Sequence, residues 1–272
     1  MKFKKIRKVY RIYFPKKFTP NEIFEHQLHF NREIISFNKQ GGAYLTKLNN
    51  NLTAKLRGEN HSDYMVLEQV FSLKQYEIIL SLIKLNLASD DEFTIIDAGA
   101  NVGYTSLYFS NKLNNLKIYA VEPSVENAAI IKENIALNNL DKTISFYHRA
   151  LSHKKGLKFQ LETNFRDAKD WAFTTNQDVN GEIEGITINE IISENKIDYI
   201  TFLKIDIEGA ERFIFKAEND LSFLKITKII AIEIHDEFNI RKDIYNILKT
   251  FGYYLLNEGE LTIGINTNLI TV

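Results

Sequence analysis

The sequence predicts an α/β protein built on a buried, mostly parallel sheet, from three observations. Near-continuous apolar runs such as "FTIIDAG", "YITFLKID" and "KIIAIEIH" read as strands covered on both faces. Helical periods separate them, which is the β-α-β alternation of parallel sheets. The chain then closes on "YYLLNE" and "LTIGIN" around Glu258-Gly259, a hairpin expected to add an antiparallel edge.

The elements follow in order. Residues 1–18 hold eight Lys and Arg side chains and no acid, interleaved with Phe3, Ile6, Val9, Tyr10, Tyr13 and Phe14 at helical spacing. This basic amphipathic helix would either pack on the body of the protein or touch an acidic membrane surface. Its aromatics follow one helix face and the rest of the chain is acidic, so nucleic-acid binding is not expected. Thr19 caps a helix whose first residue is Pro20 and which runs to Gly41-Gly42. A hairpin is expected at 43–57, turning at three asparagines, and helices in "DYMVLEQVF" and "LKQYEIILSLIKLNLA". A boundary near 88–92 divides an N-terminal extension (1–90) from a core domain (91–272).

In the core domain "KIYAVEP" is a second strand and Ser124 caps the following helix. "ISFYHRALS" is a third strand and "LKFQLE" an extra one. The stretch "TNFRDAKDWAFTTNQDVNGE" is expected to be irregular. Helices follow in "ITINEIISEN", "AERFIFKAEND" and "IRKDIYNILKTF".

Composition limits the chemistry. Hydrophobic residues make up 44% and charged residues 25% of 272, an ordinary globular balance. The absence of cysteine removes disulfides, thiolate nucleophiles and cysteine-ligated metals. No run approaches a membrane span and no signal-peptide core is visible. A cytoplasmic protein is expected, with the inner face of the membrane as its possible contact.

The loop "DAGANVGY" holds the functional signal. A nucleoside triphosphate loop needs Lys then Ser or Thr after its last glycine, and here Tyr104 follows Gly103. A dinucleotide loop needs G-x-G-x-x-G, and here Asn101 sits between Gly99 and Gly103. Asp97 before the turn would repel a diphosphate but suits an ammonium group. S-adenosylmethionine carries one, with a carboxylate that the loop amides could face. Gly99 would let the ligand approach, and Gly103 would let the next helix pack closely. Glu122 ends the second strand 23 residues beyond Gly99, where a carboxylate can accept from both ribose hydroxyls. Pro123, Ser124 and Ala150 would lie beside the adenine.

"IIDAGANVGYTS", "VEPS", "RALS" and above all "FLKIDIEGAERFIF" resemble the FkbM-type S-adenosylmethionine-dependent methyltransferases. The hallmark is Asp206, Glu208, Gly209 and Glu211 after the fourth strand. Weaker similarity upstream, in "LRGENHSDYMVLEQVF…QY", marks Arg57, Asp63 and Tyr76, the last as a cofactor contact. The resemblance implies a doubly wound, Rossmann-like seven-stranded sheet (the class I methyltransferase fold) with an antiparallel terminal strand and an α+β N-terminal extension. The chain departs from the family's Thr-Leu-Asp at Thr187-Ile188-Asn189, which weakens a role for position 189.

Two residues apart on an extended end, Asp206 and Glu208 face the same way, and Glu233 and His235 repeat the pattern on the next strand. The expected catalytic cluster has His235 or Glu208 as base and Asp206 positioning cofactor or acceptor. Glu208 could instead cap a helix and His235 be a satisfied strand-end histidine. A Mg²⁺ ion among these acids is the lesser alternative, and no histidine spacing suggests a metal. Arg57, Asp63, Arg166 and Trp171 are candidates for the acceptor side. The expected activity is O-methylation of a hydroxyl on a sugar, surface glycan or natural product in a bacterium, leaving S-adenosylhomocysteine. N-methylation of an amine, or a non-catalytic binding module, are the alternatives.

Overall fold

A computed structural model describes residues 17–87, 92–162 and 174–270. The expectations for the basic segment at 1–16 and for Arg166 and Trp171 lie outside the described residues.

Helix α1 (Pro20–Phe30) starts at the expected cap, where Thr19 and Glu22 form a reciprocal capping box. It ends ten residues earlier than expected. Ile34–Gln40 is a strand, β1, paired antiparallel with β2 (Ala43–Leu48). Its β-branched Ile34 and Ile35 favour extended backbone, and it covers what would otherwise be a bare edge of β2. The expected hairpin joins β2 to β3 (Thr53–Arg57). Helix α2 (Asp63–Leu67) runs into a π-helical turn at Glu68–Ser72. Lys74 then takes a positive φ of 55°, and α3 (Glu77–Asn86) starts later than the apolar pattern suggests.

The main sheet contains β4 (Phe93–Ala98), β5 (Leu116–Val121), β6 (Ile144–Tyr147), β11 (Ile200–Ile205), β12 (Thr227–Glu233), β13 (Tyr253–Glu258) and β14 (Leu261–Asn266). Its order is β13-β14-β12-β11-β4-β5-β6, seven strands as expected. Pairing is parallel from β6 to β12, and β14 is antiparallel to both β12 and β13. The antiparallel strand is thus inserted inside the sheet and β13 forms the edge, where the terminal hairpin was expected to put an antiparallel one.

Helices α4 (Tyr104–Lys112), α5 (Val125–Leu137), α6 (Ile188–Asn195), a single turn α7 (Glu211–Ile214) and α8 (Arg241–Thr250) complete the layers. Period-two alternation sorts the strand side chains. Ile95 and Phe202 join the cluster that contains α3, α4 and the β2–β3 hairpin. Ile96 and Leu203 join the opposite cluster, with α6 and α8. The extension and the sheet therefore share one apolar layer.

Three further expectations are corrected. The third strand breaks after Tyr147, and Ala150–Leu151 leaves the main sheet as β7. It pairs with β10 (Ile183–Ile186) in a small sheet ordered β7-β10-β8-β9, with β8 at Lys158–Glu162 and β9 at Thr174–Gln177. Two of those strands lie in or beside sequence read as irregular. The long helix expected after Ala210 is only one turn, because Asn219 Nδ2 donates to the carbonyls of Phe213 and Ile214 and closes the helix end.

Candidate functional site

The chain runs outward from β4 through β5 to β6, then crosses to β11 and β12. The switch point lies between β4 and β11, at whose carboxyl ends a doubly wound sheet binds its ligand. A cavity of about 370 Å³ opens there, within the range of small-molecule sites (~300–1,000 Å³). Tyr76, Gly99, Asn101, Glu122, Pro123, Asp206 and Glu208, all site candidates from the sequence, line it.

The loop after β4 is held from within. The amides of Gly99 and Ala100 both donate to Val121 O at 3.0 Å, and that of Gly103 donates to Ala100 O at 2.8 Å. The Asn101 amide donates to Glu122 Oε2 at 2.9 Å. Glu122 also accepts from the Ser124 amide at 3.0 Å and Asn127 Nδ2 at 3.3 Å. Its carboxyl is nearly enclosed, at 6% exposure. Burial raises its pKa to about 7, against the pull of those donors. Asn101 Oδ1 is buried with no hydrogen-bond partner among the described residues.

Gly99 has a task beside the one expected. A Cβ there would meet the Asp206 backbone, so the glycine lets the loop pass the end of β11 rather than simply admit a ligand. Gly103 caps α4 at φ 86° and packs against Ile131 of α5, with its Cβ position 3.4 Å from Ile131 Cγ1. Gly103, Ser124 and Ala150 do not line the cavity; Leu151 takes the place expected of Ala150.

Asp97 is fully buried behind the wall. Its Oδ2 accepts from Ser106 Oγ at 2.7 Å, and Lys204 Nζ stands 3.5 Å from Oδ1. Lys204 is a residue that sequence reasoning missed. It donates to Gly99 O at 2.8 Å and lies 3.4 Å from Asp206 Oδ2. Burial opposes its charge, yet Tyr76, Asp206 and Asp97 together raise its pKa above the ordinary lysine value. The signal was available: a single lysine interrupts a strand whose six residues are all buried.

The expected catalytic cluster is only partly assembled. His235 does not line the cavity and is 3% exposed. Its Nε2 faces Glu208 Oε2 at 3.3 Å and its Nδ1 faces Glu211 Oε2 at 3.2 Å. Burial works to lower its pKa, but the two carboxylates outweigh it and raise it to about 10. A ring enclosed by two carboxylates and by the Gly209 amide, which approaches Nδ1 at 3.2 Å, is not a free base. Glu208 reaches His235 from a left-handed backbone, φ 51°, followed by Gly209 at φ 89°.

Glu233 does line the cavity, with Glu260 from the β13–β14 turn. Burial, then the charges of Asp206, Glu260 and Glu208, raise Glu233 to about 8 against the pull of His235. Asp206 is paired with Lys204 and Glu208 with His235. Among the described residues no three acids or histidines are grouped to hold a metal ion, so the Mg²⁺ alternative gains no support.

Arg57 and Asp63, expected on the acceptor side, do not line this cavity. They form a buried bidentate pair, Arg57 Nη2 to Asp63 Oδ1 at 2.6 Å, with Arg57 Nε 3.1 Å from Oδ2. Arg57 Nη2 also donates to Asn127 Oδ1 at 2.9 Å. Among the described residues no helix is long and apolar enough to cross a membrane.

Residues 97–255 match the family described as the methyltransferase FkbM domain. The chain is 24% identical over 194 residues to methyltransferase sdnD of Sordaria araneosa, covering 60% of this chain and 74% of that protein. It is 23% identical over 194 residues to the 31-O-demethyl-FK506 methyltransferase FkbM of Streptomyces tacrolimicus, covering 61% and 74%. Among solved structures, methyltransferase FkbM from Methylobacillus flagellatus aligns at 15% identity and a TM-score of 0.37, over 65% of this chain and 45% of that one. The METTL16 methyltransferase domain aligns at 13% identity and a TM-score of 0.44, over 71% and 66%. The family match spans more than half of the sequence, and the chain belongs to the FkbM methyltransferase family.

Proposed function

We propose that this methyltransferase uses S-adenosylmethionine as donor and a hydroxyl of a sugar, surface glycan or natural product as acceptor. The observation that carries the reading is one cavity with two unlike ends. Glu122 and Asn101 offer buried acceptor oxygens at one end, and Glu233 offers a proton-poised carboxyl at the other. The unpartnered Asn101 Oδ1 and the remaining lone pairs of Glu122 fit a ligand bearing ribose and adenine donors.

When bound, S-adenosylmethionine supplies a methyl group on a positively charged sulfur. Glu122 would accept from the ribose hydroxyls, and Pro123 and Leu151 would flank the base. Glu233 would take the acceptor hydroxyl's proton. Its raised pKa suits a base working near neutral pH, and such a base contributes about 10²–10⁴-fold in rate. Asp206 would orient the reacting groups. The Glu208–His235 pair would hold the segment after β11 against the end of β12 as a fixed wall.

Support for an oxygen acceptor comes also from the relative whose name gives 31-O-demethyl-FK506 as its substrate. The carboxyls Asp206, Glu208, Glu233 and Glu260 along the cavity favour a second reading, methylation of an amine, which would arrive as a cation.

Calorimetric titration with S-adenosylhomocysteine, beside NAD and ATP, tests the donor. Selective binding of the thioether is expected, and binding of NAD alone would overturn the reading. Mass shifts of +14 on hydroxyl-only and on amine-bearing glycans then separate the two acceptors.

A further inference from the structure

The anionic end of the donor has few places to go in this cavity. S-adenosylmethionine and its product each carry one carboxylate, on the amino-acid arm. Five carboxyl groups line the cavity: Glu122, Asp206, Glu208, Glu233 and Glu260. The loop amides, the other customary anion partners, are partly committed. Those of Gly99, Ala100, Asn101 and Gly103 all donate inside the protein.

Lys204 is the one cationic side chain among the described residues lining the cavity. Its ammonium has three donors. One makes a short bond, to Gly99 O at 2.8 Å. The distances to Asp206 and Asp97, 3.4 and 3.5 Å, exceed the ~2.7–2.9 Å of charge-assisted hydrogen bonds, so these two contacts are the long ones that a ligand carboxylate would compete with. The Tyr76 phenol, with Thr105 beside its hydroxyl, lines the same cavity. Asp97, sealed behind Lys204, cannot take the ligand's amine directly.

We propose that Lys204, with the hydroxyls of Tyr76 and Thr105, forms the subsite for the carboxylate of the donor's amino-acid arm. The proposal rests on the S-adenosylmethionine reading. It reverses the sequence-based expectation that loop amides take the carboxylate and Asp97 the amine.

A ligand series on the wild-type protein tests it by calorimetry, using S-adenosylhomocysteine, its decarboxylated analogue S-adenosyl-3-thiopropylamine, and 5′-methylthioadenosine. Loss of the carboxylate is expected to weaken binding about tenfold or more, the worth of a charged hydrogen bond. The direction discriminates. In a cavity lined by acids, removing an unpaired carboxylate would leave affinity equal or raise it. Lys204→Met is expected to weaken S-adenosylhomocysteine about tenfold and to leave the decarboxylated analogue within about twofold. Tyr76→Phe, which keeps the ring in the core, should lose about threefold of the discrimination.

Equal or tighter wild-type binding of the decarboxylated analogue, with all three ligands bound, overturns the subsite alone. So does a folded Lys204→Met that still discriminates. Should that variant not fold, the wild-type ratio and Tyr76→Phe decide the question. Failure of all three ligands to bind overturns the donor assignment and the subsite together.

Discussion

A Cβ placed on Gly99 would lie 1.7 Å from the carbonyl oxygen of Asp206. The two residues end neighbouring strands, and the Asp206 amide donates to Ala98 O at 3.0 Å. The loop and the end of β11 are therefore one packed unit. Only glycine satisfies both that approach and the backbone φ of 80°.

Gly99→Ala should accordingly disturb the site from its foundation. The positive φ and the backbone overlap together predict a loss of about 2–4 kcal/mol, read from urea unfolding. S-adenosylhomocysteine affinity should fall with it. A variant as stable as wild type would mean that the loop can move away from β11.

Glu233 gives a prediction in pH. As a base it works only when ionised, and its pKa is raised to about 8. The rate kcat/KM should therefore rise with pH and level off above about 8. Glu233→Gln should cut kcat by about 10²-fold or more and abolish that rise, while S-adenosylhomocysteine affinity changes little. A Gln variant with the wild-type pH profile would remove Glu233 from the proton transfer. His235→Asn should keep the rise but move it to higher pH, because it removes the charge that holds the Glu233 pKa down.

Glu122 ties ligand binding to the loop. Replacing it by Ala should weaken both S-adenosylhomocysteine and 5′-methylthioadenosine by about 1–3 kcal/mol, since both carry the ribose. That common loss separates it from Lys204, whose effect follows the carboxylate. Stability carries a second signature. The Glu122 carboxyl has a folded pKa raised to about 7 from the ordinary 4.5. Its contribution to stability is complete below the lower value and fades as pH rises through the upper one. Stability measured for Glu122→Gln against wild type should thus converge, or cross in the variant's favour, between pH 5 and pH 8. A difference constant with pH would show that Glu122 titrates normally.

The parallel strands were legible because burial on both faces writes itself as unbroken apolar runs, and the switch-point loop because its glycines and acids lie close in sequence. What was missed depends on contacts between distant segments. Ile34–Gln40 is a strand because β2 has an edge to cover, and a local pattern of mixed residues does not show that. His235 looked like a base until Glu208 and Glu211 closed on it from a neighbouring strand end. Glu260 reaches the cavity only because β14 inserts beside β12. Lys204 could have been found from a lysine standing in a buried strand, a placement that burial would otherwise forbid.

Arg57 and Asp63 were expected to meet the acceptor, and the structure gives them a different measurable role. The pair is buried, with Asp63 fully enclosed, and Asp63 Oδ2 also accepts from the Arg57 amide at 2.7 Å. Breaking one side of such a pair leaves an uncompensated charge, which costs about 3–5 kcal/mol. Arg57→Met and Asp63→Asn should each unfold at markedly lower urea concentration. Arg57 also positions Asn127, which donates to Glu122, so a surviving Arg57 variant should bind S-adenosylhomocysteine more weakly. Its KM for the acceptor, measured at saturating donor, should stay near that of wild type. A raised acceptor KM with unchanged stability would return Arg57 to the acceptor side.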